Sequence, residues 1–573
     1  MTRKPLAAGL IASLLLLGTV GLLEHTLLLR DARAFWQQLL GTNSIAPDAA
    51  QFVAGEIAIS IDAGADVHAI SPFIYGVAKR DPNAVAGLDA TINRWGGNPS
   101  SRFNWVLGDA WNAGSDWEFR NLNYGTQSGS ESDRFVQGNS AGGMASIITI
   151  PALGWVAAST KNSDRSLNVP PDGGPGISPS GAIAGYDPTA NRTLTSVPSL
   201  PRKQGPFVLN PSPSSAVVYQ DEWVNHLVTQ FGTAEGGGVR FYAIDNEPML
   251  WSQTHRDVHP ARVGYDELAR IFLDYSGAVK GVDPSAQVLG PESCCWADYW
   301  YSELDRGNDN FATHADRTAH GDVPLIPWFL RTVKQHDAAT GSRSLDVLTV
   351  HYYPEAPGVA SDSSNPALDA LRLRSTRSLW DPTYVDESWV AQPVDLIPRL
   401  QGWVAAEYPG TRIGITEYNM GGGNSVSAGL AEADVLGIFG RQGVYLATYW
   451  TAPNPGSPAW LAFRMYRDAD GNHNGFGNTS IRATSAAAGT VSAFASKEPG
   501  WVDVMLINKD LQSAHDVRID LSGANAVGPI RRFQYSAANM SAIERAADIT
   551  TSMPLSLQLP AGSMTLLRVP VAA

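Results

Sequence analysis

Eight short apolar segments, each ending on a polar, aromatic or glycine cluster, constrain this fold more than any other feature. They are FIYGVA (73–78), TINRWGG (91–97), SIITIPA (146–152), RFYAIDNEP (240–248), AQVLGPES (286–293), DVLTVHYYPE (346–355), RIGITEYN (412–419) and YLATYWTA (445–452). Between several of them lie stretches of helical period: DEWVNHLVTQF, YDELARIFLDYSGAVKGV, LIPWFLRTVKQHDA, VDLIPRLQGWVAAEYPG and SAGLAEADVLGIFGRQG. Near-continuous apolar strands alternating with amphipathic helices imply a parallel sheet covered on its outer face. Eight such units predict a closed (β/α)8 TIM-like barrel, an α/β fold, spanning residues 71–455.

At 573 residues the chain exceeds one ordinary core. From residue 456 to 573 the character changes. VDVMLINKD, HDVRIDL, IRRFQYS, LSLQL and MTLLRVPV read as short strands between turns with no helical period, which predicts a second, β-sandwich domain. The strand at 56–70 precedes the barrel and alternates, so it is expected to join that β domain. The stretch 156–220 contains PPDGGPGISPSG and PSLPRKQGPF and reads as an irregular insertion near the mouth. Residues 1–33 open with Arg3 and Lys4 before an apolar run of about 18 residues, Leu6 to Leu23. No small-x-small site closes the run. It is read as an uncleaved membrane anchor in preference to a removed signal peptide, with 34–55 as a linker. The expected location is therefore extracytoplasmic, anchored to the envelope or secreted.

Chemistry in such barrels sits at the C-terminal ends of the strands. Glu247 ends the fourth strand and Glu417 the seventh; Glu292 ends the fifth, and His351, Tyr352 and Tyr353 the sixth. Two carboxylates facing one gap are the minimal equipment for glycoside cleavage: one protonates the leaving oxygen, the other attacks the anomeric carbon or activates water. The proton donor needs a raised pKa, which a neighbouring carboxylate helps provide. Asn246 can reach a sugar hydroxyl beside the reacting carbon. Tyr418 is either a substrate contact or rim packing.

The segments ISPFIYG, NRWGGNPSSRFNWVLGDAWNAGSDWEF, DNEPMLWSQTHRDVHP, LGPES, VHYYPE, LRLRSTRSLWDPTYVDESWV, GITEYNMGG and YLATYWTAP resemble glycoside hydrolase family 44, endo-β-1,4-glucanases and xyloglucanases, over most of residues 70–480. The resemblance implies retention of configuration, with Glu247 as acid/base and Glu417 as nucleophile. Asn98 and Trp117 match cleft-lining positions, and Trp389 and Trp450 match aromatic sugar platforms; His351 and Tyr353 complete the expected substrate-contacting set. Arg94 is expected either beneath the nucleophile, helping to keep it ionised, or paired with a structural acid. The chain departs from the family pattern at Cys294-Cys295 and in the insertion. These two cysteines are read as packing residues, with neither a disulfide nor a zinc site, because a bridge between neighbours is strained.

Other chemistries fare less well. His255 and His259 have zinc-pair spacing, yet Arg256 stands where a zincin needs Glu. Gly138-Asn139-Ser140-Ala141-Gly142 spells a serine-hydrolase elbow in the wrong strand–helix order. Asp468-Ala469-Asp470-Gly471-Asn472 is half a calcium loop, leaving structural calcium as the one metal to consider; no catalytic metal or cofactor is expected. A net charge of −14 without a basic stretch argues against a nucleic-acid partner. The expected partner is a β-glucan acted on by a monomer. The alternatives are a non-catalytic envelope carbohydrate-binding protein and an endo-glycanase acting on another β-glycan such as mannan.

Overall fold

All eight apolar segments form strands, and they pair in chain order. A computed structural model describes residues 55–124, 130–166, 195–307, 309–550 and 552–572, with backbone also at 186–187 and 192–193. The strands are Gly76–Ala78, Ile92–Trp95, Ala145–Ile150, Phe241–Ile244, Gln287–Ser293, Val347–Tyr352, Arg412–Tyr418 and Leu446–Trp450. Each is parallel to its neighbours, and the eighth pairs with the first through Thr448 and Gly76, closing the barrel. Helices Gln220–Phe231, Tyr265–Val282, Leu325–Thr340, Leu396–Glu407 and Val426–Gln442 lie where the helical period placed them.

The barrel interior divides by height. Ile92, Ile147, Phe241, Leu289, Val347 and Leu446 form a dry plug toward the N-terminal ends, capped by Phe73 and Tyr445. Above the plug the inward positions turn polar, with Arg94, Thr349 and Thr416. The plug makes the barrel a packed core rather than a pore, so ligands are confined to the upper mouth.

A second, curled and mostly antiparallel sheet occupies the C-terminal region. The strand Ile57–Asp62 lies inside it, antiparallel to Thr479–Ser485 and parallel to His515–Ser522. Its alternating pattern turns Ile57, Ile59 and Ile61 into the sandwich core. The sequence reading begins the β domain at 456, but a further helix, Pro458–Arg467, packs on Val426–Gln442 first. Ser457 caps it, accepting from the Trp460 N–H, and Pro458 occupies its first turn, where a missing N–H costs nothing.

Part of the insertion is ordered: Ser196–Leu200 pairs with Trp155–Ala157 and with Val218–Tyr219. Gly138 and Ser140 lie on helix Glu131–Ala141, followed by the third barrel strand, which rules out the elbow arrangement. The cysteine reading is corrected: Cys294 and Cys295 form a disulfide, with Cα atoms 3.8 Å apart. The apolar run at 6–23, the anchor and the linker lie outside the described residues.

Candidate active site

Irregular backbone at three strand ends aims the carboxylates inward. Along the seventh strand Thr416 faces the barrel axis. A register shift opposite Val350 and His351 turns the next residue, Glu417, toward the mouth as well. A similar shift at the fifth strand brings Glu292 inward, with φ at +58°. Asp245 and Glu247 at the end of the fourth strand also have positive φ, at 59° and 44°. Bulges and left-handed residues of this kind re-aim side chains at functional sites and are costly elsewhere. Asp245 is held by Ser101 and by the backbone N–H groups of Ala152 and Leu153, while the Glu247 N–H donates to the Glu292 carbonyl at 3.2 Å.

The two predicted carboxylates meet across one opening. An oxygen of Glu247 and an oxygen of Glu417 lie within 4.8 Å of each other, and both within that distance of a His351 nitrogen. Arg94, fully buried, donates to Glu417 at 2.6 Å, to Asn246 at 2.9 Å and to Glu292 at 3.0 Å. Tyr353 donates its hydroxyl to the other Glu417 oxygen at 2.8 Å. His351 lies beneath, its Nδ1 at 2.8 Å from Glu247 and its Nε2 at 3.2 Å from Glu292.

Charge is distributed unevenly over this cluster. Against the desolvation of burial, Arg94 and His351 hold the Glu292 carboxyl down at about 2, helped by hydrogen bonds from Thr349 and Thr416. Burial lowers His351, but Glu417, Glu247 and Glu292 together overcome it and raise the imidazole to about 9, which favours its charged form. Burial pushes Glu417 upward, opposed by His351 and Arg94 and reinforced by Glu247. Glu292 is thus biased toward its anion by Arg94 and His351 on either side, and Glu247 and Glu417 face the opening.

The remaining predicted residues divide into mouth, wall and outer layer. Asn246 and Asn98 form a chain: Asn246 donates to Asn98 at 3.2 Å, and Asn98 to Asp116 at 2.8 Å. Trp450 is half-buried with its ring against Gly97, where a Cβ would stand 2.4 Å from Cη2. Trp117 is 41% exposed on the turn Gly114–Trp117 and donates to Asn162. Trp389 is half-buried and donates to Glu355 at 3.2 Å. His351 is fully buried, an underpinning residue that reaches the carboxylates rather than the opening. Of the two readings of Tyr418, substrate contact is set aside and packing is what the structure shows. Strand alternation after Glu417 turns it outward, where it is wholly buried against Phe439 and Tyr449 and donates to Glu432.

Two contributors escape the sequence reading. Thr349 and Thr416 look like ordinary β-branched strand residues, and nothing local marks them as donors to Glu292. Glu292 carries the visible signal of a carboxylate at a strand end, but its alliance with Arg94 crosses 198 residues. His255 is buried with both ring nitrogens unpartnered, and His259 is engaged with Ala261 and Glu267, so the two do not converge as a pair. The carboxylates of Asp468 and Asp470 accept from His473, Arg464, Asn472 and Asn474 within and beside their own loop.

Comparison with known proteins finds relatives in one glycoside hydrolase family. The family model described as glycoside hydrolase family 44 matches residues 110–356. Endoglucanase A of Paenibacillus lautus is 31% identical over 540 residues, covering 87% of this chain and 70% of that protein. The crystal structure of CelM2, a bifunctional glucanase-xylanase from a metagenome library, superimposes with a TM-score of 0.79 at 38% identity, over 90% of this chain and 99% of that one. A Paenibacillus polymyxa xyloglucanase solved with xyloglucan gives 0.80 at 30% identity, over 90% and 100%.

Proposed function

The chain belongs to glycoside hydrolase family 44, and from that premise we propose that it cleaves β-1,4-glucan backbones internally, with retention of configuration. The observation that carries this reading is the separation of Glu247 and Glu417, oxygens within 4.8 Å across one opening. Retaining enzymes hold their carboxyl groups about 5–5.5 Å apart, whereas inverting ones leave room for a water between. Glu417 is the nucleophile: Arg94 and Tyr353 each bind one of its oxygens, which orients the carboxylate, and Arg94 works against the upward push that burial gives it. Glu247 protonates the departing oxygen, then removes a proton from the water that releases the glycosyl-enzyme. His351 touches Glu247 and lies 3.5 Å from Glu417, so it holds the pair in register. Asn246 and Asn98, hydrogen-bonded to each other beside the carboxylates, are assigned here to sugar hydroxyls, and Trp117, Trp389 and Trp450 to pyranose faces.

Relatives named endoglucanase, xyloglucanase and glucanase-xylanase support a β-1,4-linked backbone as substrate. The test is a polysaccharide panel with product sizing. Wild type releases reducing ends and mid-length products from cellulose-type glucan or xyloglucan. Glu247→Gln loses turnover by about 10²–10⁴-fold on unactivated polymer while binding persists. If wild type releases no reducing ends from any β-glucan, the chain binds glycans without cleaving them.

The reading extends to location. Arg3, Lys4 and the apolar run Leu6–Leu23 support an extracytoplasmic, membrane-tethered enzyme acting where its polymer is found. Among the described residues no helix is long and apolar enough to cross a membrane. The full chain should sediment with membranes, and a chain starting at residue 34 should not; equal partitioning would defeat the tether.

A further inference from the structure

Two loops that leave the tops of neighbouring barrel strands meet beside the mouth. One follows the fifth strand and carries the Cys294–Cys295 disulfide and the short turn Trp296–Tyr299. The other runs from the sixth strand to helix Leu396–Glu407 and carries Trp389. Glu355 stands between them. One of its oxygens accepts the Trp296 backbone N–H at 3.4 Å and the other the Trp389 indole N–H at 3.2 Å.

We infer that Glu355 is a positioning residue that pins the Trp389 ring to the disulfide-bearing loop and so sets a sugar-stacking surface for the reaction. This rests on the glycan-cleaving reading above. An indole at a cleft wall can satisfy its N–H with water; tying it to a carboxylate instead fixes the plane of the ring. The same segment serves the chemistry. Tyr353, two residues earlier, donates to Glu417, so one short stretch of backbone sets both nucleophile and ring. The clamp is also sensitive to protonation. Although part of the residue reaches the surface, both loops enclose its carboxyl end, and burial pushes it up to about 7 against the two hydrogen bonds. The ionisable groups facing it are Asp386, from the loop that bears Trp389, and Asp298 and Tyr299, from the turn after the disulfide.

The test is a set of steady-state measurements on soluble β-1,4-glucan with Glu355→Gln, Trp389→Phe and the double variant. The amide keeps one acceptor and presents N–H groups to the other donor. Glu355→Gln should raise KM about tenfold while kcat stays within about twofold. Trp389→Phe should raise KM similarly, and the double variant should be no worse than Trp389→Phe alone, since the tether is already gone. Wild-type KM should rise as pH falls from 8 to 6, while that of Trp389→Phe stays flat. An unchanged KM in Glu355→Gln, a kcat loss in place of a KM rise, or fully multiplicative effects in the double variant would overturn the inference. If Glu355→Gln does not fold, the pH comparison of wild type with Trp389→Phe decides, and identical profiles overturn it. A wild type inert on every β-glucan would instead defeat the underlying reading and this inference with it.

Discussion

Arg94 spends one guanidinium on three acceptors: Glu417, Asn246 and Glu292. A lysine retains the charge but not the planar fork, so at least one acceptor is left without its donor. Arg94→Lys should therefore lower kcat on β-glucan by about 10²-fold, comparable to removing one preorganised donor at a reacting centre, with a smaller change in KM. Steady-state kinetics checks this, and an unchanged kcat would remove Arg94 from the machinery. His351 gives the pH counterpart. Its folded pKa of about 9 exceeds the ordinary 6.5, so its contribution to stability is fully present below about 6.5 and fades as pH rises through 9. Thermal melts between pH 6 and 10 should show that fall in wild type and a smaller one in His351→Gln. At this scale the pair Glu247 and Glu417 was legible, because strand ends at a barrel mouth are where carboxylates do chemistry. Tyr418 was not. Strict alternation would put Glu417 outward and Tyr418 inward, and the register shift at the seventh strand, invisible in sequence, reverses both.

Elements were legible in proportion to how local their signals are. The barrel strands announce themselves as apolar runs bounded by turn chemistry, and helix Tyr265–Val282 by its period. The strands Val491–Glu498 and Asn539–Ile549 do not. The first is rich in Ala and Ser, and the second, NMSAIERAADI, has no aromatic residue and few β-branched ones, yet it is held as a strand by pairing with Ile530–Ser536. Tertiary pairing outweighs propensity there. The turn after the second barrel strand shows the opposite case, where one residue is dictated by its surroundings. Gly97 has φ of +81°, and a Cβ on it would stand 2.4 Å from the Trp450 ring. Gly97→Ala therefore both strains the backbone, costing about 1 kcal/mol or more, and displaces the ring. Its expected signature is a raised KM on polymer together with a lowered melting temperature. A lowered melting temperature with KM intact would mean Trp450 contributes nothing to binding.

The whole molecule is tied together by chain order as well as contact. The strand Ile57–Asp62 comes before the barrel yet sits inside the sandwich sheet, so the barrel is threaded between two strands of its partner domain. Helix Val426–Gln442 forms the shared wall. Gly437 on it admits Phe494 of the sandwich, where a Cβ would come within 2.3 Å of that ring. Beside it, Asp434 accepts from Thr376 of the barrel and pairs with Lys509 of the sandwich at 3.4 Å, both partners almost wholly buried. Burial holds Lys509 below the ordinary lysine value, with Asp434 opposing. Neutralising Asp434 leaves that ammonium buried without its counter-charge, a change that typically costs about 3–5 kcal/mol. Because the wall belongs to both domains, the loss cannot be confined to one of them. Calorimetry should show a single unfolding transition in wild type, and Asp434→Asn should move that whole transition down by several degrees with activity on β-glucan retained below it. Two transitions in wild type, or one domain's transition moving alone, would mean the sandwich is an appendage. A single shifted transition would mean that the barrel holds its mouth in register partly because the sandwich closes the chain around it.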